Sequence, residues 1–139
     1  MIRLAAIDDA PAISRLMKRE LERPNPLFPE GMIARFRAHA EIDAVKREFA
    51  DPALIAFVSE KEGIDGFIVG YREGGRITIH YVCGPLSVKR GLLAQVLSLG
   101  GSFRADTFEF MENYELFKDW RLVNKELLAP GLEMLWFER

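Results

Sequence analysis

The chain has 139 residues, 49% of them hydrophobic and 29% charged, with a formal net charge of -2. That length suits one domain with a full apolar core, and that composition excludes a disordered chain. No basic excess favours nucleic acid, the single cysteine excludes an internal disulfide, and no apolar run approaches the roughly 20 residues that span a bilayer.

In chain order, IRLAAI (residues 2 to 7) is a strand candidate. Asp8 or Asp9 then offers an N-cap and Pro11 fits a first helical turn. Ile13, Leu16, Met17 and Leu21 follow as an apolar stripe. RPNPLFPEG (residues 23 to 31) carries three prolines and a glycine, which ends the helix in a loop. Helical spacing resumes from Met32 to Phe49, with a phase slip near Ala40 that points to two short helices.

ALIAFVSE, GFIVGYRE and GRITIHYVCG then read as strands. The links between them, KEGID and Gly74-Gly75, are too short for a parallel crossover, so three consecutive antiparallel strands are expected. GPLSVKRGLLAQVL (residues 84 to 97) is a turn running into a helix, with apolar Leu92, Leu93, Val96 and Leu97 at helical spacing. SFRADTF is a further strand, ENYELFKDW a short helix, and LVNKELL and LEMLWFER flank Ala129-Pro130-Gly131 as a final hairpin. In that hairpin Leu132, Met134 and Trp136 take one face, and Leu135 and Phe137 the other. A strand covered on both sides is expected there, with a second subunit as a candidate cover and hence a homodimer.

The order β-α-α-β-β-β-α-β-α-β-β predicts one α/β domain over residues 1–139, with a mixed, mostly antiparallel sheet flanked by helices. The N-terminus lacks the apolar core of a signal peptide, so a cytoplasmic location is expected, with no membrane and no nucleic acid among the partners.

This order, with several phrases, resembles the GNAT acetyltransferase superfamily. IRLAAIDDAPAISRLM is similar to that family's first strand and helix, and AFVSEKEGIDGFIVGYREGGRITIHYV to its central strands. ITIHYVCG followed by PLSVKRGLLAQVL is similar to the strand, phosphate-binding loop and helix that come next. The resemblance spans nearly the whole chain. It implies the acyl-CoA N-acyltransferase fold, acetyl-CoA as cosubstrate, and an amine acceptor on a small molecule or a protein.

The family's loop motif is Gln or Arg, two residues, Gly, one residue, then Gly or Ala. Gly91 matches the first glycine, while Val88 stands where Gln or Arg is expected and Leu93 where the second small residue is. The resemblance thereby gives Val88, Lys89, Arg90, Gly91, Leu92 and Leu93 to the cofactor, with Val82 on the preceding strand. The residues themselves leave two readings open. Either amides from Val88 to Leu93 converge on an anion beside Lys89 or Arg90, or this is a strand-to-helix turn with two solvated cations.

Acetyl transfer to an amine needs a base for the ammonium proton and an acid for the departing thiolate. The family's acid is commonly a tyrosine in a phrase like LYEKLGF. LFKDWRL (residues 116 to 122) puts Phe117 at that place, and a phenyl ring donates no proton. Tyr114, one helical turn earlier, is the substitute candidate. His80 is the candidate base, since an ordinary imidazole titrates near neutrality. Simple alternation would set His80 and Val82 on one face of their strand and Ile79, Tyr81 and Cys83 on the other. The bland alternatives are a hydrogen-bonded sheet histidine and a small apolar core cysteine. Asp106, Glu109, Glu112 and Glu115 recur every three residues, as an acidic stripe on a helix that attracts a cationic amine or merely faces water. With two histidines far apart and one cysteine, no metal site is expected.

Three functions remain. One is an acetyl-CoA-dependent N-acetyltransferase. Another is a GNAT-like fold without catalysis, acting as a binding or structural protein, which Val88, Leu93 and Phe117 at motif positions favour. The third is a mixed α/β domain unrelated to either.

Overall fold

The computed structural model describes residues 1–22 and 28–139; residues 23–27 of the predicted loop lie outside them. Strand β1 (Ile2–Leu4) leads through a short 3-10 turn into α1 (Ala10–Leu21). The predicted Met32–Phe49 stretch is α2 (Glu30–Ala40) and α3 (Ile42–Glu48). Glu41 breaks them apart with an extended backbone (φ -63°, ψ 145°). Ala40 is buried there, and its carbonyl accepts the Ser14 hydroxyl of α1 at 2.5 Å. The phase slip in the sequence is this corner.

The antiparallel run β2 (Leu54–Glu60), β3 (Ile64–Glu73) and β4 (Arg76–Cys83) follows, as the short links require. Helix α4 (Leu86–Leu97) crosses over to β5 (Ser102–Phe108). A one-turn α5 (Tyr114–Phe117) precedes the hairpin β6 (Arg121–Ala129) and β7 (Leu132–Glu138). The sheet has seven strands in the order β1-β2-β3-β4-β5-β7-β6. Every pairing is antiparallel except β4 with β5. This is a mixed, mostly antiparallel sheet flanked by helices.

Two apolar layers hold it. On one face α4 and α5 cover Ile68, Ile77, Ile79, Val82 and Phe137, and on the other α1 to α3 cover Val58, Phe67, Val69 and Cys83. Burial on both faces is why LIAFV and GFIVG carry continuous apolar runs instead of alternating ones. The C-terminal hairpin begins earlier than predicted, at Arg121. Leu135 and Phe137 enter the core, while Trp136 lies under the Arg104 guanidinium at 4.5 Å. Strand β6 is the sheet edge and is exposed along nearly its whole length. Among the described residues, no helix is long and apolar enough to cross a membrane.

Two departures from regular pairing shape the centre. Val69 pairs with Tyr81 but Gly70 pairs with Ile79, so His80 is the extra residue of a β-bulge. A Cβ at Gly70 would stand 2.8 Å from the Thr78 carbonyl oxygen, so glycine is what lets the strands close there. The bulge corrects the predicted alternation. Ile79 and Val82 share the α4 face, Tyr81 and Cys83 share the α1 face, and His80 is turned out to solvent. The second departure is that β4 and β5 pair only from Arg76–Ile79 to Ser102–Ala105. Beyond Ile79 and Ala105, β4 stays on β3 and β5 stays on β7, so the two strands splay apart towards their carboxyl ends.

The N-terminal strand is fastened by Asp9. Its carboxylate accepts the Ala6 amide at 2.8 Å and two bonds from the Arg3 guanidinium at 2.8 and 2.9 Å. The Arg3 guanidinium holds the Asp9 carboxyl below the usual carboxylate range. A group with a depressed folded pKa contributes stability above its unfolded value, and that contribution is lost as pH falls through the folded value. Asp9→Ala is therefore expected to cost about 1–2 kcal/mol at pH 7, the usual effect of removing a capping carboxylate. The loss shrinks towards zero in acid, below pH about 4, which urea melts across that range will measure.

Candidate active site

The splay opens a cleft of about 450 Å³ between the carboxyl ends of β4 and β5 and the helices α1 and α2. His80 to Cys83 line it from β4 and Asp106 to Phe108 from β5, with Met17 of α1, Phe36 of α2 and the turn after β5 completing the wall. The bulge is what brings His80 here: the extra residue turns its ring out of the pleat, edge-on to Tyr71 at 5.0 Å.

Across the splay stands Asp106. Burial raises its carboxyl pKa, and the nearness of His80 and then Arg104 opposes that rise. Tyr81 is raised by burial and by the charge of Glu48, so its phenol keeps its proton at neutral pH. Burial pushes the Cys83 thiol up to about 12. A thiol held protonated is no nucleophile, so Cys83 is a small core residue, the second of its two sequence readings.

Helix α4 approaches from the other side of the sheet. Its first-turn amides, Leu86, Ser87 and Val88, have no acceptor within the helix, and Gly84, with φ +127°, lets the chain turn sharply into it. The Lys89 amide already donates to the Pro85 carbonyl at 2.9 Å, and those that follow belong to the helical ladder. The predicted convergence of amides from Val88 to Leu93 is thereby corrected. The free donors lie at Leu86 to Val88, and of the predicted run only Val88 is among them. Leu92 and Leu93 are buried in the core, and a Cβ on Gly91 would meet only the Ile2 side chain at 3.3 Å.

The two cations part company. Arg90 is exposed and lies near Glu115 of α5. Lys89 is buried, and its ammonium meets Glu112 at 2.9 Å inside the cleft. Beside it the Asn113 side-chain amide donates to the Val82 carbonyl at 3.3 Å. These two bonds tie α4 and β4 to the turn after β5, across the mouth of the splay. The acidic stripe dissolves accordingly. Asp106 is on β5, Glu115 on α5, and Glu109 and Glu112 lie in the turn between them.

Tyr114 does not line the cleft. It starts α5, its ring 6.2 Å from Phe137, packed on the same cluster as Leu86 and Val88 of α4's first turn. His80 and Tyr114 thus lie on opposite sides of the sheet. Phe117 is fully buried against Trp120, with ring centroids 5.0 Å apart. Sequence reasoning missed that Asp106 and His80 face one cleft. The available signal was Gly70, a lone glycine inside an apolar strand, which marks a bulge.

No family model and no curated protein matches the chain. Solved structures do, across its whole length. A GCN5-related N-acetyltransferase from Rhodopseudomonas palustris superposes with a TM-score of 0.73 at 12% identity, covering 100% of this chain and 94% of its own. A PaiA N-acetyltransferase from Thermoplasma acidophilum, in complex with coenzyme A, gives 0.71 at 11% identity, covering 100% and 98%. A ribosomal-protein-alanine N-acetyltransferase from Brucella melitensis gives 0.66 at 13%, covering 100% and 98%. The fold is that of the GNAT acetyltransferases, in a divergent sequence.

Proposed function

We propose that the chain is an acetyl-CoA-dependent N-acetyltransferase acting on an amine. The observation that carries this reading is the splay, which sets a cleft holding His80 and Asp106 on one side of the sheet and the free first-turn amides of α4 on the other. Those amides fit a phosphate group. They present unpaired donors at the positive end of a twelve-residue helix, with Arg90 exposed one turn on.

Acetyl-CoA supplies a thioester carbonyl as acyl donor. In the transfer a C–N bond forms, the C–S bond breaks, the amine loses a proton and the thiolate gains one. His80 is the group proposed to take the ammonium proton, with Asp106 facing it across the splay. Tyr114, on the α4 side, is proposed to return a proton to the thiolate. Lys89 and Glu112 hold the mouth of the splay between these two sides.

A second reading, a GNAT fold that binds without turnover, is favoured by that same bridge, because the Lys89–Glu112 pair and the Asn113–Val82 bond cross the opening. One experiment divides the cases. Melting is followed with and without acetyl-CoA, and thiol release is followed with a panel of amines. Acetyl-CoA at about 100 times its Kd is expected to add about 2.7 kcal/mol of stability. A shift without thiol release on any amine gives the binding reading; no shift at millimolar acetyl-CoA removes both.

A further inference from the structure

The cleft carries a specificity feature that the transfer chemistry does not require. Phe28 meets three other phenyl rings edge to face: Phe36 at 6.1 Å, Phe108 at 5.4 Å and Phe110 at 5.8 Å. Phe108 and Phe110 stack with centroids 5.5 Å apart. All four rings line the cleft, and Phe110 is 44% exposed, so the cluster is open at one side. Offset and edge-to-face packing leaves ring edges and faces for one more aromatic group.

Asp106 stands two residues before Phe108 on β5, hence on the same face and about 7 Å away along the strand. Among the described residues it makes no ion pair. Arg104 is stacked on Trp136, and Lys89, the cleft's lysine, is held by Glu112. The buried Oδ1 of Asn113, another lining residue, has no hydrogen-bond partner among the described residues. The cleft therefore sets the Asp106 carboxylate and one buried acceptor oxygen beside a ring-lined wall, with Glu20 of α1 and Glu112 as its other carboxylates. Glu112 is bound to Lys89 and Glu20 is likewise not without a partner, so neither is set as a second carboxylate for a diamine.

Resting on the acyl-transfer reading, we propose that the acceptor is a primary amine on an aromatic body, its ammonium at Asp106 and its ring against Phe28, Phe36, Phe108 and Phe110. The amine would stand next to His80, the base proposed to deprotonate it.

The test is an NMR titration of the full chain, without acetyl-CoA, using 2-phenylethylamine, 2-phenylethanol, ethylamine and putrescine. The aromatic amine is expected to bind about tenfold or more tightly than each of the others, since ring burial and a desolvated cation each contribute on that scale. Phe110→Ala, an exposed position where folding is safe, should weaken 2-phenylethylamine and leave ethylamine unchanged. Asp106→Asn should abolish the preference over 2-phenylethanol. Equal binding of the ringless or the uncharged compound, tighter putrescine, or no binding of the aromatic amine at millimolar concentration overturns the assignment. Because acetyl-CoA is absent, failure here beside a normal acetyl-CoA melting shift sinks the acceptor class alone. Aromatic-amine binding without that shift supports the subsite and sinks the transfer reaction instead.

Discussion

His80→Ala is expected to lower kcat/KM for acetyl transfer by about 10²–10³-fold, within the usual contribution of a positioned base. Added imidazole should restore part of the loss at high concentration. The rescue matters because the bulge gives His80 two possible contributions, one chemical and one structural. His80 is exposed, and its ring meets the edge of Tyr71 at 5.0 Å and lies 6.5 Å from the ring of Tyr81, so its truncation should move stability by only about 0.5 kcal/mol. Thermal melts of the variant should overlay those of the parent. Unchanged kcat/KM, or a loss that imidazole leaves untouched while the melting point drops, would remove His80 from the reaction. Tyr114→Phe supplies the contrast: as an isosteric change in a packed ring it should leave the melting point alone, so any fall in rate reports the phenol proton.

The sequence carried the fold through its connections more than through its strands. KEGID and Gly74-Gly75 force antiparallel neighbours whatever the strands contain, and the long GPLSVKRGLLAQVL segment supplies the crossover that a parallel pair needs. Residue patterns alone placed β2, β3 and β4 because their apolar runs are short and bounded by turns. The site was less legible, for a geometric reason. Period-two alternation assumes unbroken pleating, and one extra residue at His80 reverses the faces of everything after it. Val82 thus moves to the α4 core and Tyr81 and Cys83 to the cleft side.

The acidic repeat misled in the opposite way. Spacing of three is a helical signal only on a helix, and residues 106 to 115 run through a strand, a turn and a helix. What mattered was the strand spacing of Asp106 and Phe108, which puts a charge and a ring on one face. Lys89 shows a further limit. A lysine next to an arginine at a helix start reads as solvated, yet its stem passes through the helix–sheet interface and delivers the ammonium to Glu112. No spacing rule reveals a partner that lies 23 residues on and across a strand splay.

Gly84→Ala is expected to be the more damaging of two glycine changes at α4, and the pair locates the anion site. At Gly84 the backbone has φ +127°, a region that side chains rarely adopt, and a Cβ would lie 2.9 Å from the Asp65 carbonyl oxygen and 3.0 Å from the Gly66 Cα. Both neighbours are backbone, so neither can swing away. Conformational strain and overpacking each cost about 1–3 kcal/mol, which together predict a loss of about 3 kcal/mol or more. For a chain of this length that lowers Tm by on the order of 10 °C, and it displaces the first turn of α4. Gly91→Ala is the control. Its Cβ would meet only the flexible end of Ile2 at 3.3 Å, and alanine in a helix interior gains up to about 1 kcal/mol over glycine, so stability should hold or rise. If the phosphate is held by Leu86, Ser87 and Val88, Gly91→Ala keeps the full acetyl-CoA melting shift. Should that variant stay folded and lose the shift, the anion contacts lie at Gly91 after all, and the first-turn assignment fails.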